Sequence, residues 1–249
     1  METAALYDAA LLAGFDRFVL RDAARLRYFN LVPNPRERPH SSLGYMMARV
    51  SASRGDGKTR WYLRGDNLLI DELITDIGNA ATEGSAVCIA ATAFALVYLL
   101  DALESRGLKF TLPPASRIME TGGFKGRTRT IERSELYARL RDAFGLGYET
   151  IVSEYGMCEL SSQYYARAGG AFAGPPWLRT RVVGPDRTTL PLGIVGSLLH
   201  IDLANRASCI AIQTEDLGTM TAGGLTLAGR DRDALPRGCS LDAEDLRAG

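Results

Sequence analysis

The segment YGMCE, residues 155–159, places an aromatic ring, a glycine, a thiol and a carboxylate side by side. Apolar residues precede it, and the small polar residues Ser161 and Ser162 follow it. A turn alone needs only residues such as glycine, asparagine or serine. The combination of Tyr155, Cys158 and Glu159 therefore marks this segment as a candidate ligand-binding loop.

Two further segments carry residues of the same kind. TEDLG (214–218) places Asp216 in a predicted turn between β-like segments, and AGRDRDALPRGCS (228–240) places Arg230 directly after a glycine. Taken singly, each has a plain structural interpretation: Tyr155 as an interface aromatic, Asp216 as a turn former, and Arg230 as a solvated charge. Only the three segments together predict a site.

The elements that must position these residues follow an α/β pattern. SAVCIAAT (85–92) and SRIMETGG (116–123) predict buried strands, and helical patterns cover 93–106 and 133–144. Strands that alternate with helices of this length predict a parallel-rich sheet covered by helices, and a small β-rich subdomain follows from residue 170. The loops TGGFKGR (121–127) and EYGMCE (154–159) then lie at the carboxyl edge of the sheet, where ligands of such sheets bind.

The first part of the chain is less informative. Apolar spacing over residues 3–28 predicts a long amphipathic helix. ASRGDGKT (52–59) fits a relaxed phosphate-loop pattern, but a helical pattern precedes it and the strand-like RWYL follows. Since a phosphate loop needs a strand before it and a helix after it, we interpret this segment as an exposed basic turn.

The bulk properties exclude several classes of protein. The 249 residues carry 29 basic and 29 acidic side chains, so no global charge steers the chain toward nucleic acid or an anionic membrane. The longest apolar run, residues 86–100, is too short to span a bilayer, and no signal peptide is visible. Four unclustered cysteines and two histidines favour a reduced, cytoplasmic protein without a zinc site. A metal, if bound, would be Mg²⁺ held by carboxylate and phosphate.

The three segments, in this order, resemble the adenylate-forming superfamily of acyl and aryl ligases. More closely, the chain resembles the acyl-protein synthetases of bacterial bioluminescence, the long-chain fatty acid–protein ligases. The closer likeness extends from about residue 28 to 241 and lies in PHSSLGYMM, RIMETGGFKGRTR, EYGMCELSSQYY, GSLLHIDLANRASCIAIQTEDLG and GRDRDALPRGCSL. It implies a partial adenylate-forming ligase fold, with residues 1–169 as its α/β nucleotide-binding part. Residues 170–249 would form the β-rich subdomain with a C-terminal acyl-acceptor tail.

The resemblance implies nucleotide-binding roles for the Tyr-Gly loop and for the glycine pair that precedes it in the chain. In the superfamily the ring of the Tyr-Gly loop stacks on adenine and the loop's glutamate serves Mg²⁺, which implies these roles for Tyr155, Gly156 and Glu159. The glycine pair that lines the adenine pocket corresponds to Gly122 and Gly123, because only glycine lets the backbone approach a base closely.

The later segments match the ribose contacts of the superfamily. Asp216 corresponds to the aspartate that accepts hydrogen bonds from the ribose hydroxyls, and Arg230 to the arginine that contacts the ribose or its phosphate. The cofactors implied are ATP and Mg²⁺.

The resemblance also implies the reaction. A fatty carboxylate attacks the α-phosphate of ATP, pyrophosphate leaves, and a thiol then takes the acyl group from the adenylate as a thioester. In the acyl-protein synthetases this thiol is a cysteine near the C-terminus, and Cys239 is the candidate, whereas Cys88 and Cys209 are predicted to be core thiols. The implied partners are the fatty acid substrate and an acyl-CoA/fatty-acid reductase protein.

Two departures leave alternatives open. Cys158 stands where the superfamily loop has threonine, and no Ser/Thr/Gly-rich phosphate loop is visible. METAALYDAALLAG resembles the part that follows that loop, so we expect the family's N-terminal portion to be missing here. The family's large C-terminal domain is likewise not expected. The alternatives are a non-catalytic nucleotide- or acyl-binding remnant and a relative of the acyl- or aryl-CoA ligases.

Overall fold

The computed structural model of the chain describes residues 2–21, 25–122, 131–167 and 169–231. Within these ranges the α-helices are α1 (Glu2–Phe15), α2 (Ser42–Arg54), α3 (Ile70–Glu83), α4 (Ala93–Ser105) and α5 (Arg133–Phe144). The strands are β1 (Arg27–Leu31), β2 (Arg60–Trp61), β3 (Leu63–Arg64), β4 (Asn67–Leu68), β5 (Val87–Thr92), β6 (Arg117–Thr121), β7 (Ile151–Tyr155), β8 (Tyr164–Arg167), β9 (Leu178–Val183), β10 (Gly196–Asp202), β11 (Ala211–Thr221) and β12 (Gly224–Arg230).

A six-stranded sheet forms the centre of the molecule, in the order β2-β1-β5-β6-β7-β8. The first five strands run parallel, and β8 pairs with β7 in the antiparallel sense. This confirms the predicted α/β class and the predicted carboxyl edge, where β6 and β7 both end. In their register Glu120 lies opposite Ser153, and Thr121 lies opposite Glu154.

Helices cover both faces of this sheet because the strands present apolar side chains alternately to either side. Ile118 and Ile151 face a core formed with α3, α4 and α5. Met119 and Val152 face the opposite core, formed with α1 and α2. Two of the helices begin with a side-chain cap. The Ser41 hydroxyl accepts a hydrogen bond from a backbone N–H of α2, and the Thr92 hydroxyl accepts one from a backbone N–H of α4.

A second, four-stranded antiparallel sheet follows, in the order β12-β11-β10-β9. A third core joins it to β8 and to the chain around that strand, through the buried residues Leu160, Tyr164, Phe172, Leu198 and Leu225. The residues from 170 onward are thus β-rich, as predicted, while the division of the chain into domains at 169/170 stays a prediction.

The structure departs from the sequence pattern near the N-terminus. The predicted helix over residues 3–28 ends at Phe15, a single π-helical turn follows at Asp16–Leu20, and strand Arg27–Leu31 begins beyond it. The pairing of β1 with both β2 and β5 overrides the helical apolar spacing there.

The segment ASRGDGKT (52–59) does not have the surroundings of a phosphate loop. A helix precedes it and a strand follows it, since α2 ends at Arg54 and β2 begins at Arg60. In the described ranges, no helix combines the length and the apolar character needed to cross a membrane.

Candidate functional site

Tyr155 is the last residue of β7, at the carboxyl edge of the central sheet. Its half-buried ring lies 5.8 Å from that of Tyr164 and 5.9 Å from that of Phe172, measured between ring centroids. Burial raises the pKa of the Tyr155 hydroxyl, and the nearby charge of Asp216 raises it further. The ring is therefore a neutral, laterally supported surface at the sheet edge.

The structure brings Tyr155, Asp216 and Arg230 together. The Tyr155 hydroxyl donates a hydrogen bond of 2.7 Å to Asp216 Oδ2, and Arg230 Nε lies 3.1 Å from Asp216 Oδ1. A second carboxylate, that of Glu215, accepts a hydrogen bond from Arg230 Nη2 at 2.8 Å. One carboxylate thus joins the ring to the guanidinium.

Asp216 does not lie in a turn, and that part of the sequence prediction is wrong. It lies inside β11, directly opposite Arg230 at the end of β12, and the register shifts between Leu217 and Gly218. The turn-forming residues of TEDLG indicate this irregularity of the strand rather than an end of it. Cross-strand pairing is what places Arg230 beside Asp216.

His200 is a member of the site that the sequence analysis missed. It is fully buried in β10, where its Nδ1 lies 3.0 Å from the Tyr164 hydroxyl and its Nε2 lies 3.4 Å from the Tyr155 hydroxyl. Burial lowers the pKa of His200 to about 4, against a smaller opposing effect of Asp216. A neutral imidazole therefore supports the Tyr155 hydroxyl from behind at physiological pH.

The loop that follows Tyr155 is held by a second buried group that the sequence analysis missed, the carboxylate of Asp202. Its oxygens accept hydrogen bonds from the backbone N–H groups of Ser161 and Ser162, at 2.9 and 2.8 Å. Asn205 adds a hydrogen bond of 2.7 Å from its Nδ2 to the carbonyl of Glu159. The sequence does contain a pattern that could have pointed to Asp202. Polar and apolar residues alternate in LLHIDLA (198–204), which predicts a strand with one polar face.

The two predicted glycine positions that the structure describes have clear reasons for glycine. Gly122 follows β6 with φ of 76°, in the left-handed region that favours glycine. A Cβ at Gly156 would clash with Glu154 Oε1. Gly123 lies outside the described residues, so its predicted place in the base pocket stays a prediction.

Glu154 is a buried carboxyl group on the other face of β7. It accepts a hydrogen bond from the Thr121 hydroxyl, across the β6–β7 pair. Burial raises the pKa of Glu154 to about 7, although that hydrogen bond opposes the shift, and the charge of Glu120 adds to it. A carboxyl group that titrates near neutrality therefore lies beside the candidate loop.

Glu159, the predicted metal ligand, has an exposed side chain. Among the described residues, no group of three or more histidine, cysteine, aspartate or glutamate side chains could hold a metal ion. A single exposed carboxylate fits Mg²⁺, which commonly takes one or two protein carboxylates together with substrate phosphates. Glu159 thus fits a shared Mg²⁺–phosphate site better than an all-protein metal site.

The cysteines differ in accessibility. Cys88 is fully buried in β5, as predicted, and burial raises the pKa of its thiol to about 12. Cys158 is exposed, with its Sγ 3.5 Å from the Ser42 hydroxyl. Cys209 is exposed just before β11, so the prediction of a core thiol there is wrong. Cys239, the predicted acyl carrier, lies outside the described residues.

Comparison with solved structures identifies the fold. The chain is similar to the amide bond synthetase McbA from Marinactinospora thermotolerans, with a TM-score of 0.61 and 18% identity, over 92% of this chain and 45% of that one. It is similar to an adenylation domain of a keto acid-selecting NRPS module bound to keto acyl adenylate, with a TM-score of 0.65 and 17% identity, over 93% and 49%. It is also similar to ATP-bound MatB from Rhodopseudomonas palustris, with a TM-score of 0.61 and 14% identity, over 94% and 44%.

These structures are adenylate-forming ligases, and the fold of the chain is a partial adenylate-forming ligase fold. The chain spans less than half the length of each of these proteins. No protein-family model and no curated protein matches the sequence.

Proposed function

We propose that the chain carries the nucleotide-binding part of a ligase that activates a carboxylic acid as an acyl-adenylate, with ATP as its substrate and Mg²⁺ as its metal. The observation that carries this proposal is the meeting of Tyr155, Asp216 and Arg230 from two different sheets. An aromatic surface beside a carboxylate and a guanidinium provides a stacking face for a base and polar groups for a ribose. The neighbouring structures, one bound to ATP and one to an acyl adenylate, support the same use of the fold.

Each residue has a defined part in this reaction. The Tyr155 ring stacks on the adenine, and Asp216 accepts hydrogen bonds from the ribose hydroxyls, which replace the hydrogen bond from Tyr155 that it now receives. Arg230 forms an ion pair with Asp216 and would lie beside the ribose and its phosphate. Glu159 would hold Mg²⁺, which when bound neutralises charge on the phosphates.

The chemical steps place little covalent work on the protein. A carboxylate oxygen of the acid forms a bond to the α-phosphorus of ATP while the bond to pyrophosphate breaks. The resulting mixed anhydride carries a good leaving group, AMP. The contribution of the chain is to position the nucleotide and to stabilise its charge.

We further propose that the acid is a long-chain fatty acid and that the acyl group passes to Cys239. The thiolate would attack the acyl carbonyl, the bond to AMP would break, and a thioester would remain on the protein. A fatty-acid reductase would then accept the acyl group from it. This finer proposal rests on the sequence likeness around RGCS (237–240), and the three free thiols of the described part agree with a cytoplasmic location.

Acyl transfer is tested with labelled fatty acid, ATP and Mg²⁺. The protein should acquire label that hydroxylamine releases, and Cys239→Ser should abolish this label while acyl-adenylate formation continues. Cys158→Ser and Cys209→Ser are matched controls, because both replace exposed thiols. Label that persists in Cys239→Ser and disappears in Cys158→Ser would assign the carrier to Cys158. If no variant takes up label although nucleotide binds, the chain is a nucleotide-binding remnant.

A further inference from the structure

A cavity of about 540 Å³ lies at the amino edge of the six-stranded sheet, the edge opposite the candidate nucleotide loop. Arg117 begins β6 there, Thr150 directly precedes β7, and Arg167 ends the antiparallel β8. Since a strand rises about 3.3 Å per residue, the length of β7 separates this cavity from Tyr155 by roughly 15 Å. The cavity is therefore distinct from the proposed nucleotide site.

Arginine side chains dominate the lining of this cavity. Two come from the π-helical turn and the residue after it, and two come from β6 and β8, namely Arg17, Arg21, Arg117 and Arg167. The lining also contains the carboxylates of Asp16 and Glu149, but Asp16 binds Arg54, whose Nε and Nη2 lie 2.6 and 2.7 Å from its two oxygens. With four guanidinium groups to two carboxylates among the described residues, the lining favours an anionic ligand.

Two of these arginines are held in place by the backbone. Arg117 is 7% exposed, and it donates hydrogen bonds from Nε to the Val19 carbonyl at 3.2 Å and from Nη1 to the Ala115 carbonyl at 2.9 Å. Arg167 Nη2 donates to the Phe18 carbonyl at 2.9 Å. Carbonyl oxygens carry no net charge, so these contacts fix the direction of the guanidinium groups without cancelling their charge. The inner wall of the cavity is thus positive and pre-positioned.

The other two arginines lie on a backbone segment of unusual geometry. Arg21 ends the π-helical turn with φ of 57° and ψ of −88°, and its backbone N–H donates to the Asp16 carbonyl at 2.7 Å. Any residue with a side chain is strained at this φ, whereas glycine is not. Strained residues and π-helical turns both occur frequently at functional sites. This turn presents two exposed guanidinium groups, those of Arg17 and Arg21, at the rim of the cavity.

The arrangement suits a phosphate group. Arginine binds phosphate oxygens through paired, charge-assisted hydrogen bonds, and a tetrahedral phosphate offers its oxygens in several directions, whereas a carboxylate offers two in one plane. Guanidinium groups from three separate elements approach this cavity from different directions, and its volume is typical of sites for small molecules. We propose that it binds a small phosphate-bearing molecule, held by Arg117 and Arg167 on the inner wall and by Arg17 and Arg21 at the rim. The inference does not depend on the proposed function, because the two sites lie at opposite edges of the sheet.

Inorganic pyrophosphate is the probe, and isothermal titration calorimetry on the whole protein measures its binding. Wild type should bind pyrophosphate, and the double variant Arg17→Gln/Arg21→Gln should bind it at least about tenfold more weakly, because charge-assisted hydrogen bonds are lost. Both side chains are exposed, so the variant should keep the wild-type melting temperature. Its affinity for AMP should also equal that of wild type.

Arg21→Gly separates ligand binding from folding. Glycine relieves the strain at this positive φ, so the variant should melt no lower than wild type. It should nevertheless bind pyrophosphate several-fold more weakly, because the guanidinium group is gone. Wild-type pyrophosphate affinity in Arg21→Gly would show that this residue does not contact the anion and would contradict the inference.

Arg179→Gln/Arg181→Gln is the matched control, since it removes the same charge from two exposed positions on β9. It should leave pyrophosphate binding unchanged. No binding by wild type, or equal weakening in the two double variants, would overturn the inference. Pyrophosphate that AMP displaces and that Arg17→Gln/Arg21→Gln still binds would also overturn it, by placing the anion at the nucleotide site. Failure of AMP alone to bind would contradict the proposed function and leave this inference standing.

Discussion

The hydroxyl of Tyr155, at the end of a strand in the six-stranded sheet, donates a 2.7 Å hydrogen bond to Asp216 in the middle of a strand of the four-stranded sheet. This bond connects two sheets that lie far apart along the chain. The buried His200 lies behind the same hydroxyl, and Arg230 lies on the other side of Asp216. The proposed nucleotide site thus lies at the junction of the two sheets, and its geometry depends on how they pack.

Tyr155→Phe removes this hydrogen bond and keeps the ring. Since Asp216 retains Arg230, we expect the free energy of unfolding to fall by about 1 kcal/mol, and the affinity for AMP to change only a few-fold because the stacking surface is intact. Urea denaturation and calorimetry measure the two quantities. Tyr148→Phe is the control, because Tyr148 is exposed and stacks under Arg141 through its ring alone. A large loss of AMP affinity in Tyr155→Phe would show that the hydroxyl, rather than the ring, binds the nucleotide.

Glu154 gives the protein a pH-dependent stability. Its folded-state pKa, raised to about 7, exceeds the ordinary value of 4.5, so the folded protein holds this proton more tightly than the unfolded chain. The stabilisation is fully present below about pH 4.5 and is lost as the pH rises through about 7. Wild type should therefore lose, relative to Glu154→Gln, on the order of 2–3 kcal/mol of unfolding free energy between about pH 5 and pH 8.

Measuring the difference between the two proteins removes the effects of other titrating groups, which both share. Denaturation curves at several pH values provide the measurement, and Glu135→Gln, at an exposed position of α5, is the control that should show no such trend. A wild-type minus variant difference that stays constant with pH would mean that Glu154 is not titrating as its burial requires.

The thiols should differ in reactivity. In native protein we expect iodoacetamide to modify Cys158 and Cys209, both exposed, and to modify Cys88 only after unfolding, because Cys88 is buried and its thiol pKa is raised to about 12. AMP should slow the modification of Cys158, which lies in the candidate loop, and leave Cys209 unaffected. Peptide mass spectrometry reports each site separately. Equal protection of both thiols would indicate a general change in the protein rather than a nucleotide bound at this loop.

The parts of the fold that the sequence predicts well are those with strong local patterns. SAVCIAAT is a mostly apolar run and SRIMETGG runs into a glycine pair, and both lie between helical segments and form β5 and β6 of the parallel sheet as expected. The strand Arg27–Leu31 was missed because helical apolar spacing runs into it, although its two adjacent aromatic residues were a strand signal. Pairing with two neighbouring strands decides the conformation of that segment.

Some residues of the candidate site could likewise be predicted from the sequence, and others could not. Tyr155 and Gly122 could be placed from the sequence because Tyr155 ends a strand at the carboxyl edge and Gly122 directly follows one. Asp216 was predicted to lie in a turn, because acidic residues and glycine are turn formers, yet cross-strand pairing keeps it in β11. The role of His200 depends on which side chains face it across two packed layers, and a local sequence pattern does not show that.

The most direct test of the account is the affinity of the protein for AMP, compared with that of Asp216→Ala by isothermal titration calorimetry. We expect measurable AMP binding by wild type, weakened by roughly 1–3 kcal/mol in Asp216→Ala, because the ribose hydroxyls lose their carboxylate acceptor and Arg230 loses one of its two carboxylate partners. Glu215→Ala removes the other carboxylate that Arg230 contacts and should leave the affinity nearly unchanged. Equal AMP affinity in wild type and Asp216→Ala, or no AMP binding by the wild-type protein, would contradict a nucleotide site at the junction of Tyr155 and Asp216.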